Sequence, residues 1–294
     1  MKIFYTSDIH ASGNHLFSML SIAEDKTVDA IIIGGDIVPH HLPEARRIGI
    51  VEAQATYLKR VFVPAIRAFK QKQDIPIYLD LANDDFICNR EILTGQQDKG
   101  LNLLHMEKHR LTDLIDIIGY MVVPLTPFQR KDWEKPDSKE APYAKGNRII
   151  LNGYTSINGR LEKTVINLAS EDTIENDLRQ LSQQIERPFV FVSHSPPYDT
   201  PLDLLDNGLP VGSLSIRRFI EQWSIKGMLA LSLHGHIHGS PNRSGSIRTK
   251  IEKSLCINPG QNEGNHATLR YVILELLDGK PFPGIRAIYE PGQV

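Results

Sequence analysis

The chain reads as an α/β protein built on a core of parallel strands. Three observations lead there. Apolar runs without polar alternation, such as Asp29–Ile33, mark strands covered on both faces. Helical patterns separate these runs in the first third, and a β-α-β-α-β order with right-handed crossovers makes a parallel core. Short clusters of Asp, His and Asn follow the runs, at the strand ends where open α/β sheets place their sites.

Taken in order, residues 2–6 predict a strand, about 13–24 a helix and 29–33 a second strand. A long helical pattern from about Glu44 to Lys72 follows, with Pro64 as its expected break. Residues 77–81 are the third predicted strand and 117–123 a further one. The stretch 124–147 is polar and rich in Pro and Lys. It reads as a flap or loop insertion at about 124–148, and a loop that long inside a compact chain is usually functional. Residues 170–186 predict a helix with Ser170 as cap and acids in the first turn. Regular α/β spacing then resumes, with a strand at 189–192, a helix at 213–223 and a strand at 228–233. Predicted strands at 254–257, 267–275 and 285–289 complete the pattern. No repeat or Pro/Gly-rich linker divides residues 1–294, so a single domain is expected.

Composition narrows the function. Lys and Arg number 33 against 35 Asp and Glu, a net charge of −2. That balance argues against a protein that coats nucleic acid or clings to an anionic membrane. No apolar segment has the length of a membrane span, and the first residues lack the apolar core of a signal peptide. Two cysteines in 294 residues exclude a disulfide scaffold and fit a reducing, cytoplasmic location.

Five clusters carry the chemistry: Asp8-Ile9-His10, Gly35-Asp36, Asn83-Asp84-Asp85, His194, and His234-Gly235-His236-Ile237-His238. Each is weak alone, and their conjunction is specific. Imidazole and carboxylate together suit Mn, Fe, Zn or Ni. A pair of cations about 3.5–4 Å apart takes some seven protein ligands, one of them a bridging carboxylate. Asp8, His10, Asp36, Asn83, His194, His236 and His238 supply that number, and no thiolate site is expected.

In this order the clusters resemble the calcineurin-like metallophosphoesterases, whose pattern is D-x-H, G-D, G-N-[HDC]-[DE], H and G-H-x-H. The resemblance spans residues 1–260. The segments PLTPFQRKDWEKPD, EDTIENDL, SHSPPYDTPLD and VGSLSIRRFIE look more narrowly like the Icc-related bacterial and archaeal phosphoesterases. The resemblance implies a four-layer α/β/β/α sandwich of two mixed sheets. It implies Asp8, His10, Asp36 and His238 around one metal, and Asp36, Asn83, His194 and His236 around the other, with Asp36 bridging. It further implies two divalent cations, Mn favoured, and attack on phosphorus by a metal-bridging hydroxide, with Asn83, Asp84 and His194 as catalytic residues.

One departure concerns acid catalysis. Many members carry His where this chain has Asp84, and a carboxyl of ordinary pKa near ~3.9 is a poor proton donor at neutral pH. His40, His41 and His15 are the candidates to replace it, and Asp84 is equally readable as a residue that orients a ligand. Trp133 reads as a flap aromatic or a loop anchor, Arg217 and Arg218 as phosphate contacts or solvated side chains. Tyr198 and Asp199 read as pocket walls. The expected activity is hydrolysis of a phosphodiester, a small nucleotide or cyclic nucleotide type being favoured. A polymeric nuclease substrate and a non-catalytic protein-binding scaffold are the alternatives.

Overall fold

The structure, a computed structural model, describes residues 1–97, 100–141, 148–264, 267–277 and 284–288. Two six-stranded mixed sheets dominate it. The first contains β1 (Lys2–Thr6), β2 (Ala30–Ile33), β3 (Ile77–Leu79), β4 (Leu101–Leu103), β13 (Val272–Leu277) and β14 (Gly284–Ile288), in the order β14-β13-β1-β2-β3-β4. Strands β1 to β4 are mutually parallel, whereas β13 runs antiparallel to β1 with Lys2 opposite Glu275. The second contains β5 (Lys108–Arg110), β6 (Asp116–Tyr120), β9 (Phe189–Ser193), β10 (Leu229–Leu233), β11 (Arg248–Ile251) and β12 (Ser254–Ile257), in the order β11-β12-β10-β9-β6-β5. Its four central strands are parallel and its two edge strands antiparallel. A hairpin of β7 (Asn152–Ile157) and β8 (Arg160–Val165) stands apart.

Among the described residues, eight α-helices accompany the sheets: α1 (His15–Asp25), α2 (Ala45–Ile48), α3 (Ile50–Tyr57), α4 (Val63–Lys72), α5 (Arg90–Thr94), α6 (Ile174–Ser182), α7 (Leu214–Ile225) and α8 (Ser240–Ser244). Helices α1 and α4 pack together, as do α6 and α7, and α7 lies on β10. The arrangement is the expected sandwich of two mixed sheets with helical layers. The central strands are apolar on both sides: all four residues of β2 and all five of β9 and β10 are buried. The sheets are also joined by a polar contact, Tyr5 Oη on β1 donating to the carbonyl of His234 at 2.6 Å.

Several boundaries move for stated reasons. Pro64 does not break the long helical run; a π-turn over Leu58–Phe62 precedes it, with the Val63 N–H bonded to the Leu58 carbonyl five residues back. Proline has no N–H for the carbonyl four residues earlier, and the widened turn accommodates that loss. The helix expected from Ser170 begins at Ile174, because Thr173 caps it by accepting from Asn176 N–H at 3.2 Å. The Ser170 hydroxyl accepts from Asp172 N–H instead.

Residues 124–141 carry no named helix or strand, as a loop reading expects, and they are pinned at several points. Trp133 is 1% exposed and donates from Nε1 to the Asp85 carbonyl, so it neither covers substrate nor anchors an exposed loop. Asp137 accepts from Ser213 Oγ and from Leu214 N–H at the start of α7. Residues 142–147 of the expected flap, and residue 289 of the last expected strand, lie outside the described residues.

Candidate metal centre

All seven residues singled out as metal ligands stand at the carboxyl ends of parallel strands, and the fold brings these ends together. Asp8 and His10 follow β1, Asp36 follows β2, Asn83 follows β3, His194 follows β9, and His236 and His238 follow β10. Four come from the first sheet and three from the second, so the site straddles the two. Side-chain atoms of Asp8, His10 and His238 gather in one group, and those of Asp8, Asp36 and His194 in another.

The loops that carry them are locally strained. Asp8 (φ 57°), Asp36 (φ 50°) and His236 (φ 65°) adopt the left-handed region, uncommon for residues with a Cβ and typical of functional sites. Gly35 (φ 107°) is needed where it stands: a Cβ there would lie 2.6 Å from the Ala82 Cβ and 2.7 Å from His194 Nδ1. The bare backbone of Gly35 thus leaves room for Ala82, which stands where the related pattern has glycine.

Hydrogen bonds fix which nitrogen faces inward at His194 and His238. His194 Nδ1 donates to the Gly34 carbonyl at 2.8 Å. Its Nε2 therefore points at Asn83 Oδ1 at 2.9 Å and Asp36 Oδ2 at 3.2 Å, with Asp8 Oδ1 at 3.9 Å. His238 Nδ1 donates to Glu263 Oε1 at 2.7 Å. Its Nε2 faces Asp8 Oδ1 at 3.2 Å and His10 Nε2 at 3.1 Å, and His10 Nε2 lies 4.0 Å from Asp36 Oδ2. His236 lies beside His194, ring centroids 5.2 Å apart, and its backbone N–H donates to Asp8 Oδ1 at 3.1 Å.

Neutral imidazoles with Nδ1–H already committed present lone pairs to acceptor oxygens, an arrangement that demands a positive charge between them. A proton meets part of the demand. Burial opposes charging His194 and His238, yet the carboxylates of Asp36 and Asp8 outweigh it and push these groups up to about 9 and about 10. Burial dominates at His10 and His236 and pushes both down to about 4. Asp8 and Asp36, although buried, are held below the usual carboxylate range by the facing histidines. Divalent cations answer the same demand for more atoms at once, and the donor set of imidazole nitrogen, carboxylate and amide oxygen fits them. Both inward-aimed histidines also have the carbonyl or carboxylate partner that metal-bound imidazoles usually have. Asp8 is the carboxylate common to the two groups of side-chain atoms, whereas Asp36 belongs to one of them.

Asp84 lies at the edge of this centre. Its carboxylate accepts from His40 Nε2 at 2.8 Å and pairs with Arg130 Nη1 at 3.2 Å, and it lies 3.4 Å from His10 Nδ1. These neighbours hold Asp84 well below the usual range against the opposing effect of burial, which keeps it ionised. Neighbouring Asp85 is buried and accepts from Ile37, Val38 and Ala82 N–H, tying the loops after β2 and β3 together.

Of the three histidines considered in place of the missing one, His40 lines the cleft over the site. His41 is exposed, and buried His15 lies 3.2 Å from the Ala267 carbonyl through Nε2. His234 is buried, its ring held by Ser232 Oγ and by the Ser193 and Ser195 carbonyls. Arg217 is engaged by Glu221 and the Tyr198 carbonyl and Arg218 by Glu140, so neither faces the cleft. Tyr198 and Asp199 are not among the described residues that line it. Both cysteines are free thiols.

No family model matches the chain. The uncharacterised protein MJ1162 of Methanocaldococcus jannaschii is 28% identical over 202 residues, covering 67% of this chain and 81% of that protein. The crystal structure of TT1561 of Thermus thermophilus superposes with a TM-score of 0.53 at 15% identity, covering 88% of each chain. A dimetal phosphatase from Danio rerio superposes with a TM-score of 0.51 at 10% identity, over 95% of this chain and 93% of that one. The two mixed sheets and their helical layers are thus those of the metallophosphoesterase fold, which this chain shares with a dimetal phosphatase.

Proposed function

We propose that the chain is a calcineurin-like metallophosphoesterase: a hydrolase of phosphate esters that uses two divalent cations and favours small phosphodiesters of nucleotide or cyclic nucleotide type. One observation carries this reading. The Nε2 atoms of His194 and His238 converge on the carboxylates of Asp36 and Asp8, and His10, Asp36, Asn83, His236 and His238 line a cleft of about 790 Å³, a volume suited to a small ligand.

Asp8, His10, Asp36 and His238 would hold one cation, and Asp36, Asn83, His194 and His236 the other; Mn is favoured, with Fe, Zn and Ni compatible with the same donors. Such cations supply a water nucleophile that is active near neutral pH and neutralise charge on the phosphoryl oxygens. The protein's own residues do the rest. Asn83 lines the cleft and presents an amide to a phosphoryl oxygen. His194 and His238 are oriented by the Gly34 carbonyl and Glu263. His40, steadied by Asp84, carries the proton for the leaving oxygen. The short cysteine count supports a reducing, cytoplasmic setting, and no described helix is long and apolar enough to cross a membrane.

The test combines metal analysis of the purified protein with hydrolysis of bis-p-nitrophenyl phosphate with and without added Mn. Bound metal and Mn-dependent turnover are expected, and Asp36→Ala should lose both. A protein that neither binds metal nor turns over the ester would overturn the proposal and favour a non-catalytic scaffold.

A further inference from the structure

The cleft above the metal centre has walls of unequal character. One wall is the segment 124–128, Pro-Leu-Thr-Pro-Phe, and it is rigid. Pro124 and Pro127 fix two φ angles. Thr126 is clamped by Glu134, which accepts from its N–H at 3.0 Å and its hydroxyl at 2.5 Å, and Lys131 Nζ closes the clamp on Glu134 at 2.7 Å. Phe128, at the end of this segment, lines the cleft and is nonetheless 57% exposed. Leu204, Leu205 and Val211 of the loop after β9 add further apolar lining. A large aromatic left half in water beside a polar metal centre, on a loop this firmly held, is a surface shaped for an apolar occupant.

Charge points the same way. Apart from the candidate ligands and His40, the charged side chains among the described lining residues are Asp84, Asp206 and Glu263. No lysine or arginine is among them, and nearby Arg130 is engaged by Asp84. A second phosphate, or the neighbouring phosphates of a polynucleotide, would meet carboxylates rather than cations.

We infer that this cleft selects singly charged phosphodiesters carrying an aromatic or similarly flat apolar ester arm, and that Phe128 is the residue that recognises the arm. The inference rests on the phosphoesterase reading above and deepens it. The scissile phosphate lies at the floor, and the retained arm lies against the 124–128 wall with its flat face on Phe128. A planar nucleobase meets the same description, whereas a short alkyl arm leaves the wall wet.

Two measurements test this, one of binding and one of turnover. In the metal-loaded protein, calorimetry should show diphenyl phosphate binding at least about tenfold more tightly than dimethyl phosphate, the scale of one buried aromatic contact. Phe128→Ala should reduce the ratio to within about twofold. Leu114→Ala, at a comparably exposed position on the turn before β6, should keep it. In turnover, p-nitrophenyl phenyl phosphate should show the lower KM against methyl p-nitrophenyl phosphate, which has the same leaving group and charge. Equal binding of the two diesters, or an unchanged ratio in Phe128→Ala, overturns the inference. Selective binding without turnover of either ester would instead overturn the hydrolase reading and leave the selectivity standing.

Discussion

His40 Nε2 and Asp84 Oδ2 are joined by a 2.8 Å hydrogen bond across 44 residues of sequence. Asp84 stands where the pattern this chain resembles often has a histidine, and through this bond it holds an imidazole that comes from another loop. The pair raises the His40 pKa, chiefly through the hydrogen bond itself. His40→Asn is expected to slow the hydrolysis of diesters with alkoxide leaving groups by about a hundredfold, within the range of general acid catalysis. It should slow p-nitrophenyl esters far less, because that leaving group departs without a proton. Equal slowing of both classes in steady-state kinetics would remove His40 from this role.

Glu263 and His238 provide a second test, directed at metal retention. Glu263 accepts from His238 Nδ1 at 2.7 Å and so turns Nε2 inward. Such supporting carboxylates change metal affinity by about 10–100-fold when altered. Glu263→Gln should weaken Mn binding on that scale in a chelator competition titration while the thermal stability of the chelated protein stays close to wild type.

Gly35→Ala addresses the strained loop. The residue would be forced to a φ of 107° with its Cβ 2.7 Å from His194 Nδ1. Destabilisation of about 2 kcal/mol or more is expected, because a clash adds to an unfavourable backbone region. Chemical denaturation would measure it. A variant as stable as wild type, with its metals in place, would show the loop to be more pliable than its geometry implies.

His105 gives the fold a pH dependence separate from the metals. Burial pushes its pKa down to about 4, while Asp80 and Asp177 raise it and Arg90 and Lys135 lower it. Its Nδ1 also accepts from Met121 N–H at 3.1 Å, a bond that a proton on that nitrogen would abolish. The folded state therefore refuses a proton that the unfolded chain takes up near its ordinary value of 6.5. This contribution to stability is complete above that pH and is lost as pH falls toward about 4. In chelated protein, wild type should lose about 2 kcal/mol relative to His105→Gln between about pH 7 and pH 4.5. A constant difference in urea midpoints across that range would contradict the assignment.

The strand-end clusters are legible because each follows a buried apolar run, and such a run announces both the strand and the place where it stops. Glu263 gives no comparable signal: it lies in a loop of Gln, Asn and Gly after β12, and its role depends on a contact with His238 that no spacing encodes. The His40–Asp84 bond is hidden for the same reason. The hairpin of β7 and β8 is absent from the expected elements although its turn is visible. Asn158 and Gly159 both take positive φ, and this dipeptide is the strongest short hairpin signal; the largely polar, exposed strands around it lack the apolar run that marks the others. Trp133 is neither a flap aromatic nor an exposed loop anchor, because a Lys- and Pro-rich neighbourhood masks a side chain that tertiary packing buries.

The pairing of β1 with β13 joins Lys2 to Glu275. During synthesis, the strand that leads to Asp8 and His10 leaves the ribosome roughly 270 residues ahead of the strand that covers its outer edge. Contacts so distant in sequence slow folding, and an open strand edge invites the wrong neighbour. The chain should therefore acquire its metal-holding capacity late and abruptly, when β13 closes that edge, so that a ribosome stalled before β13 would display a nascent chain unable to retain Mn.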